Sequence, residues 1–214
     1  MKAIFAVLFF GIMTYVSAQV SSSQCQSYSP MPNFDPSKFF LGSWFVTHAK
    51  NGPEFAVCRT YHTSVKGREI NLNANGYYGD KKKNSYYKVS CTGPKGSGKL
   101  GKFSLSCNLH SLTNSPSPSQ KSITYNLDLT IIKTDYSQYA IVYRCAWYPS
   151  ERVTKDNLLI LHRDKQALLP NIAQIFQQET RMPLSGLPFT RQKTTCKSTD
   201  NYITDESIDE LLKF

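Results

Sequence analysis

The chain has 214 residues, 25 of them Lys or Arg against 15 Asp or Glu, for a net charge of +10. A basic surplus of this size favours anionic partners such as nucleotides, fatty-acid carboxylates, polyphosphates or acidic protein surfaces. Beyond the first eighteen residues no apolar run approaches the roughly 20 residues of a membrane helix, and the six cysteines form neither CxxC nor a Cys/His zinc spacing. No membrane span, metal, cofactor or nucleic-acid partner is therefore expected.

Residues 1–18 open with Lys2, run through an apolar stretch and exit on Ser17 and Ala18, the pattern of a cleaved secretory signal. A secreted chain with an even number of cysteines, Cys25, Cys58, Cys91, Cys107, Cys145 and Cys196, is expected to form three disulfides, and the spacing alone leaves every pairing open. Residues 19–199 are read as one domain. Residues 200–214 hold five of the acids and read as an acidic tail with a weak helical turn.

Taken in chain order, the strand candidates are Trp44 to His48, Val57 to Ser64, Glu69 to Ala74, Ser85 to Cys91 and Lys102 to Leu109. Then comes a hairpin, "SITYNLDLTII" and "YAIVYRCAWY" about the turn "KTDYSQ", and last Asn157 to His162. The alternation is clearest where Ile123, Tyr125, Leu127, Leu129 and Ile131 share one face. "NGP", "NGYYGDKKK", "TGPKGSGKLG" and "TNSPSPSQ" read as turns between strands. Eight short antiparallel strands predict an all-β barrel or sandwich. "PNIAQIFQQETRM" then predicts one amphipathic helix presenting Ile172, Ile175, Phe176 and Glu179, stopped by "PLSGLP".

Catalytic motifs are missing from this chain: there is no Gly-X-Ser-X-Gly elbow and no HExxH, and "GPKGSGK" is not a P-loop. A binding protein rather than an enzyme is expected. Lys81, Lys82, Lys83, Lys95, Lys99 and Lys102 cluster in two loops, either as solvated charge or as contacts for phosphates or an anionic surface. Tyr61, Tyr125 and Tyr143 lie on strands, and a tyrosine-lined pocket suits an oxygenated lipid or an aromatic amine.

"NFDPSKFFLGSWFVTHAKNGPEFAVCRTY", "CTGPKGSGKLGKFSLSC", "KTDYSQYAIVYRC" and "DNLLIL" resemble the salivary lipocalins of blood-feeding triatomine bugs. The resemblance covers most of the chain after the signal. It implies an eight-stranded up-and-down lipocalin barrel with one C-terminal α-helix packed outside, closed at its narrow end by Trp44. It also implies the pairs Cys25 with Cys145 and Cys58 with Cys196, which leaves Cys91 with Cys107. The haem-binding branch of that group carries a histidine where "NLNAN" places Asn71, a poor iron ligand, so haem is not expected.

If Cys58 faces outward to the C-terminal segment, the two-residue period turns Val57, Arg59 and Tyr61 inward. Arg59 inside an apolar barrel would be costly without a partner. That partner is either a buried acid such as Glu54 or Glu69, or a ligand carboxylate or phosphate. The expected ligand wall is Arg59, Val57, Tyr61, Tyr125, Leu127 and Tyr143. The resemblance implies a secreted scavenger of a small host mediator, an eicosanoid ahead of ADP or a biogenic amine, that blunts platelet aggregation and vasoconstriction. The alternative partner is a host clotting protease, bound at the outer surface.

Overall fold

The computed structural model describes residues 25–51, 59–80, 83–96, 100–111, 122–166 and 169–191. Eight antiparallel strands run β1 (Gly42–Ala49), β2 (Thr60–Lys66), β3 (Glu69–Asp80), β4 (Lys83–Pro94), β5 (Lys102–Ser111), β6 (Ser122–Thr134), β7 (Tyr139–Tyr148) and β8 (Val153–His162). Each pairs with the next, β8 pairs with β1, and β1 pairs with β2, so the sheet closes into an up-and-down barrel. A two-residue strand, β9 (Phe189–Thr190), joins β1 at His48 and Ala49, beyond the stretch that β2 occupies.

Among the described residues, two α-helices accompany the barrel. "DPSKFF" contains a single helical turn, α1 (Pro36–Phe39). The Asp35 carboxylate accepts from the Ser37 N–H, and Pro36 stands at a first-turn position where a missing N–H costs nothing. The amphipathic helix is α2 (Ile172–Thr180), ended by Arg181 in the left-handed region. Ile172, Phe176 and Thr180 are its buried residues, whereas Glu179 reaches Lys133 of β6 at 3.1 Å.

The strand periods sort side chains into two clusters. Inside the barrel lie Trp44, Val46, Tyr61, Ile70, Leu72, Ala74, Val89, Leu105, Leu109, Leu127 and Leu129, among others. Outside it, Ile141, Tyr143, Leu158 and Ile160 pack beneath Ile172, Phe176 and Leu187. β7 and β8 are thus apolar on both faces, because α2 covers the outer one. β6 keeps clean alternation from Ser122 to Leu129.

Most of one expected turn is strand. In "NGYYGDKKK", β3 continues to Asp80 and β4 begins at Lys83, with Gly76 opposite Tyr87 and Tyr77 opposite Tyr86. The paired backbone satisfies its hydrogen bonds across the ladder, and aromatic residues favour extended strands, which outweighs the glycines as turn signals. Gly93 has a steric role instead: a Cβ there would lie 2.6 Å from the Ser104 carbonyl oxygen.

Trp44 lies near the start of β1. It is fully buried, donates its indole N–H to the Phe39 carbonyl at 3.0 Å, and stacks on Phe39 at 5.1 Å between centroids. The Arg163 guanidinium lies 3.6 Å above the Trp44 ring and donates to the carbonyls of Lys38, Phe39, Leu41 and Ser43. This arginine therefore bonds α1 and the start of β1 to the end of β8.

The disulfides Cys25–Cys145 and Cys91–Cys107 are formed. Cys58 and Cys196 lie outside the described residues, as do Val57, Glu54, residues 1–18 and residues 200–214. Among the described residues no helix is long and apolar enough to cross a membrane.

Candidate ligand-binding site

The interior surface is built by inward positions of facing strands. On β2, Arg59 directly precedes the strand and Tyr61 lies on it; they are 6% and 8% exposed, and Tyr61 sits in the inner cluster. The Arg59 guanidinium donates to the Tyr61 hydroxyl at 3.4 Å. On β6, Tyr125 and Leu127 point inward, and Tyr125 stacks on Tyr148 of β7 at 4.7 Å.

Tyr143 is a correction. It was expected in the ligand wall, but it faces out of the barrel and packs with the residues under α2. Its hydroxyl donates to the Asp156 carboxylate at 2.9 Å and accepts from the Gln26 N–H at 2.6 Å, and its ring lies 4.9 Å from that of Tyr28. Burial first, and then Asp156 as acceptor and charge, hold this phenol well above its ordinary value. The physical reason for its orientation is the neighbouring Cys145. That residue bonds Cys25 on the outer face, and alternation puts Tyr143 on the same side.

The same alternation turns Arg144 inward, a residue that the sequence reading missed. It pairs across the ladder with inward Leu129 and with Asn157, and it hydrogen-bonds the Tyr61 hydroxyl from the opposite wall. Two pairs along, beyond Cys145 and Asp156, Lys155 lies across from inward Ala146, diagonal to Arg144 on the same face. The parity rule applied to Cys58 would have found Arg144 had it also been applied to Cys145.

Three cationic side chains and a phenol thus share this interior. Burial alone would push the Tyr61 phenol up, yet the charges and hydrogen bonds of Arg59 and Arg144 outweigh it and hold the group below its ordinary value. Lys155 is lowered to about 8, first by burial and then by the Arg144 charge. The lowering of Tyr61 and the Arg144 contribution at Lys155 report a positive local potential, whereas the larger cause at Lys155 is burial. Such a site can hold an anion between guanidinium forks, with tyrosine and aliphatic walls for an apolar body.

The remaining expectations are placed as follows. Asn71 alternates with inward Ile70 and Leu72 and so belongs to the outer face. The Cys91–Cys107 disulfide joins paired positions of β4 and β5 and lies in the inner cluster, at 1% and 0% exposure. Among the described residues, no three His, Cys, Asp or Glu side chains gather as a metal site.

Residues 18–175 match the family model described as Triabin. The chain belongs to the Triabin family. Among its relatives, triafestin-1 of Triatoma infestans is 36% identical over 172 residues, covering 79% of this chain and 82% of that protein. Pallidipin of Meccus pallidipennis is 30% identical over 200 residues, covering 92% and 98%. Among solved structures, the tryptamine complex of the amine-binding protein of Rhodnius prolixus superposes with a TM-score of 0.61 at 20% identity, over 80% of this chain and 87% of that one. This last likeness is one of fold, and places this Triabin chain among lipocalin-type barrels. The Triabin barrel described here turns Arg59, Arg144, Lys155 and Tyr61 toward its interior.

Proposed function

We propose that the protein is a secreted salivary scavenger that sequesters an anionic small mediator of the host, an oxygenated fatty acid of the eicosanoid class, inside its barrel, and thereby opposes platelet aggregation and vasoconstriction. In this reading residues 1–18 are removed on secretion, residues 19–199 form the barrel domain and residues 200–214 are an acidic tail. The observation that carries it is the convergence of Arg59 and Arg144 on Tyr61 in the barrel interior. A carboxylate entering there gains charge-assisted hydrogen bonds that few other chemical groups can offer. Tyr125, Leu127 and Tyr148 supply the wall for the hydrocarbon.

The tryptamine-bound neighbour is a ligand complex of an amine-binding protein. An amine held here would meet the Arg59 and Arg144 charges, so amines rank below anions for this chain. ADP shares the anionic chemistry but offers less apolar surface. The reading requires stoichiometric binding and no turnover.

The test is calorimetric titration of the disulfide-intact protein with a thromboxane mimetic, a cysteinyl leukotriene, ADP, serotonin and haemin. One-to-one submicromolar binding of a carboxylate lipid, weakened at least tenfold by Arg59→Ala, is the expected outcome. Preference for serotonin over every anion would overturn it. Silence toward all five would instead favour a host protease or an anionic surface, bound from outside.

A further inference from the structure

The end of the barrel at which β1 begins carries a surface that a ligand in the interior would not touch. Three segments are joined there. The Lys95 N–H donates to the Arg68 carbonyl at 2.8 Å and its ammonium to the Ser37 hydroxyl at 2.7 Å, which ties the β4–β5 connection to the β2–β3 turn and to α1. The Gly101 N–H donates to the Met31 carbonyl at 3.1 Å, and the Phe40 ring meets that of Phe103 edge-on at 5.0 Å. On this face Leu41 is 68% and Leu100 is 55% exposed, two of the three exposed large apolar side chains among the described residues. Met31, Val65 and Tyr136 are half-buried at the same end. The described charges of the three segments are Lys38, Lys66, Arg68, Lys95 and Lys102 against Asp35 and Glu69. Asp35 is already engaged, by the Ser37 N–H and by Lys38 at 3.8 Å.

We propose that this face docks on an anionic phospholipid bilayer, with Leu41 and Leu100 entering the headgroup boundary and the cations around them meeting the lipid phosphates and carboxylates. Composition favours a bilayer over a protein partner. Lysine is depleted in protein interfaces and leucine is scarce among their hot spots, whereas leucine flanked by lysine and arginine makes up the interfacial surface of peripheral membrane proteins. Leu41 precedes β1 and Leu100 precedes β5, so burying both in lipid asks nothing of the barrel ladder. Their surroundings are also fixed in advance. Arg163 donates to the Leu41 carbonyl, and the Leu100 carbonyl accepts from the Lys102 N–H at 2.9 Å. Docking therefore orders little backbone and loses little conformational entropy.

The test is co-sedimentation of the full disulfide-intact chain with vesicles of phosphatidylcholine alone or with about 30% phosphatidylserine, at low and high salt. Binding to the anionic vesicles about tenfold tighter than to the neutral ones, and weakened by salt, is the expected result. Leu41→Ser with Leu100→Ser is expected to weaken it about tenfold, and Lys66→Gln with Arg68→Gln by a similar factor. Lys88→Gln with Arg152→Gln removes the same charge from exposed positions toward the other end of the barrel and should change binding less than about threefold. Near-ultraviolet circular dichroism checks the fold of each variant. Equal binding to the two vesicles overturns the proposal. So does full binding by the leucine variant, or an equal loss from both charge variants, either of which would reduce the attraction to net charge. Sedimentation velocity without lipid covers the remaining occupant: a dimer abolished by the leucine substitutions would assign this face to a second copy and overturn the bilayer.

Discussion

Thr47 of β1 carries a hydroxyl with three neighbours: the Ile160 carbonyl at 3.2 Å, His162 Nδ1 at 2.8 Å and His48 Nδ1 at 3.1 Å. One hydroxyl has one proton, so at least one imidazole must donate its Nδ1–H to Thr47. Both rings are buried, and each is held toward its neutral form. Burial, and then the His162 charge, lower His48 to about 4. Burial lowers His162 against the opposing pull of Asp135 and Asp164. A histidine whose folded value lies below its unfolded value of about 6.5 binds fewer protons when folded, so stability rises with pH through that window. The contribution is complete above about pH 6.5 and is lost as pH falls toward 4. His48 alone then accounts for about 3 kcal/mol. Urea unfolding across pH 4 to 7 should show this slope, and His48→Gln should flatten it.

At the scale of elements, α2 is attached to the barrel by side chains on one face, with Phe176 fully buried against the outer surfaces of β7 and β8. Phe176→Ala should cost about 3–5 kcal/mol in chemical unfolding. Because that cavity lies outside the barrel, ligand affinity should change less than threefold, and a parallel titration checks this. Between β4 and β5 the limiting contact is backbone: the Cβ of Gly93→Ala would press on the Ser104 carbonyl and the Leu105 side chain. Neither can swing away within a paired ladder, so a loss of about 1–3 kcal/mol is expected, together with a lower expression yield. In both cases the element's position, more than its propensity, sets the magnitude.

At the scale of the molecule, the two described disulfides have different tasks. Cys25–Cys145 spans a sequence separation of 120 and fastens the N-terminal segment to the outer face of β7, whereas Cys91–Cys107 spans 16 and links two adjacent strands on the inner face. The loop-entropy model assigns about 5 kcal/mol to the first and about 3 kcal/mol to the second. Thermal unfolding of the paired alanine variants should therefore show the larger drop in Tm for Cys25 with Cys145. The long bridge also matters for the interior: by holding Cys145 outward it keeps Arg144 in, facing Tyr61. Loss of this bridge should weaken anion binding as well as stability, whereas loss of the short one should act mainly through stability.

The sequence alone was enough to determine the eight barrel strands and the helix that follows, because these depend on periodic patterns along one chain, whereas the choice of a closed barrel over a sandwich came from the resemblance. Its period of two placed Tyr125 and Leu127 inward on β6, where polar residues mark the other face. It failed at Tyr143 and at Arg144. β7 is apolar on both sides, and no local pattern distinguishes a face packed under α2 from a face lining the barrel. What turned those residues was the Cys25–Cys145 bridge and the cover of α2, contacts between segments more than a hundred residues apart in the case of the bridge. The convergence of Arg59, Arg144 and Lys155 likewise exists only once β2, β7 and β8 have curled into one barrel. Charge composition records how many cations a chain carries, and only tertiary structure decides which of them are taken out of water and brought together.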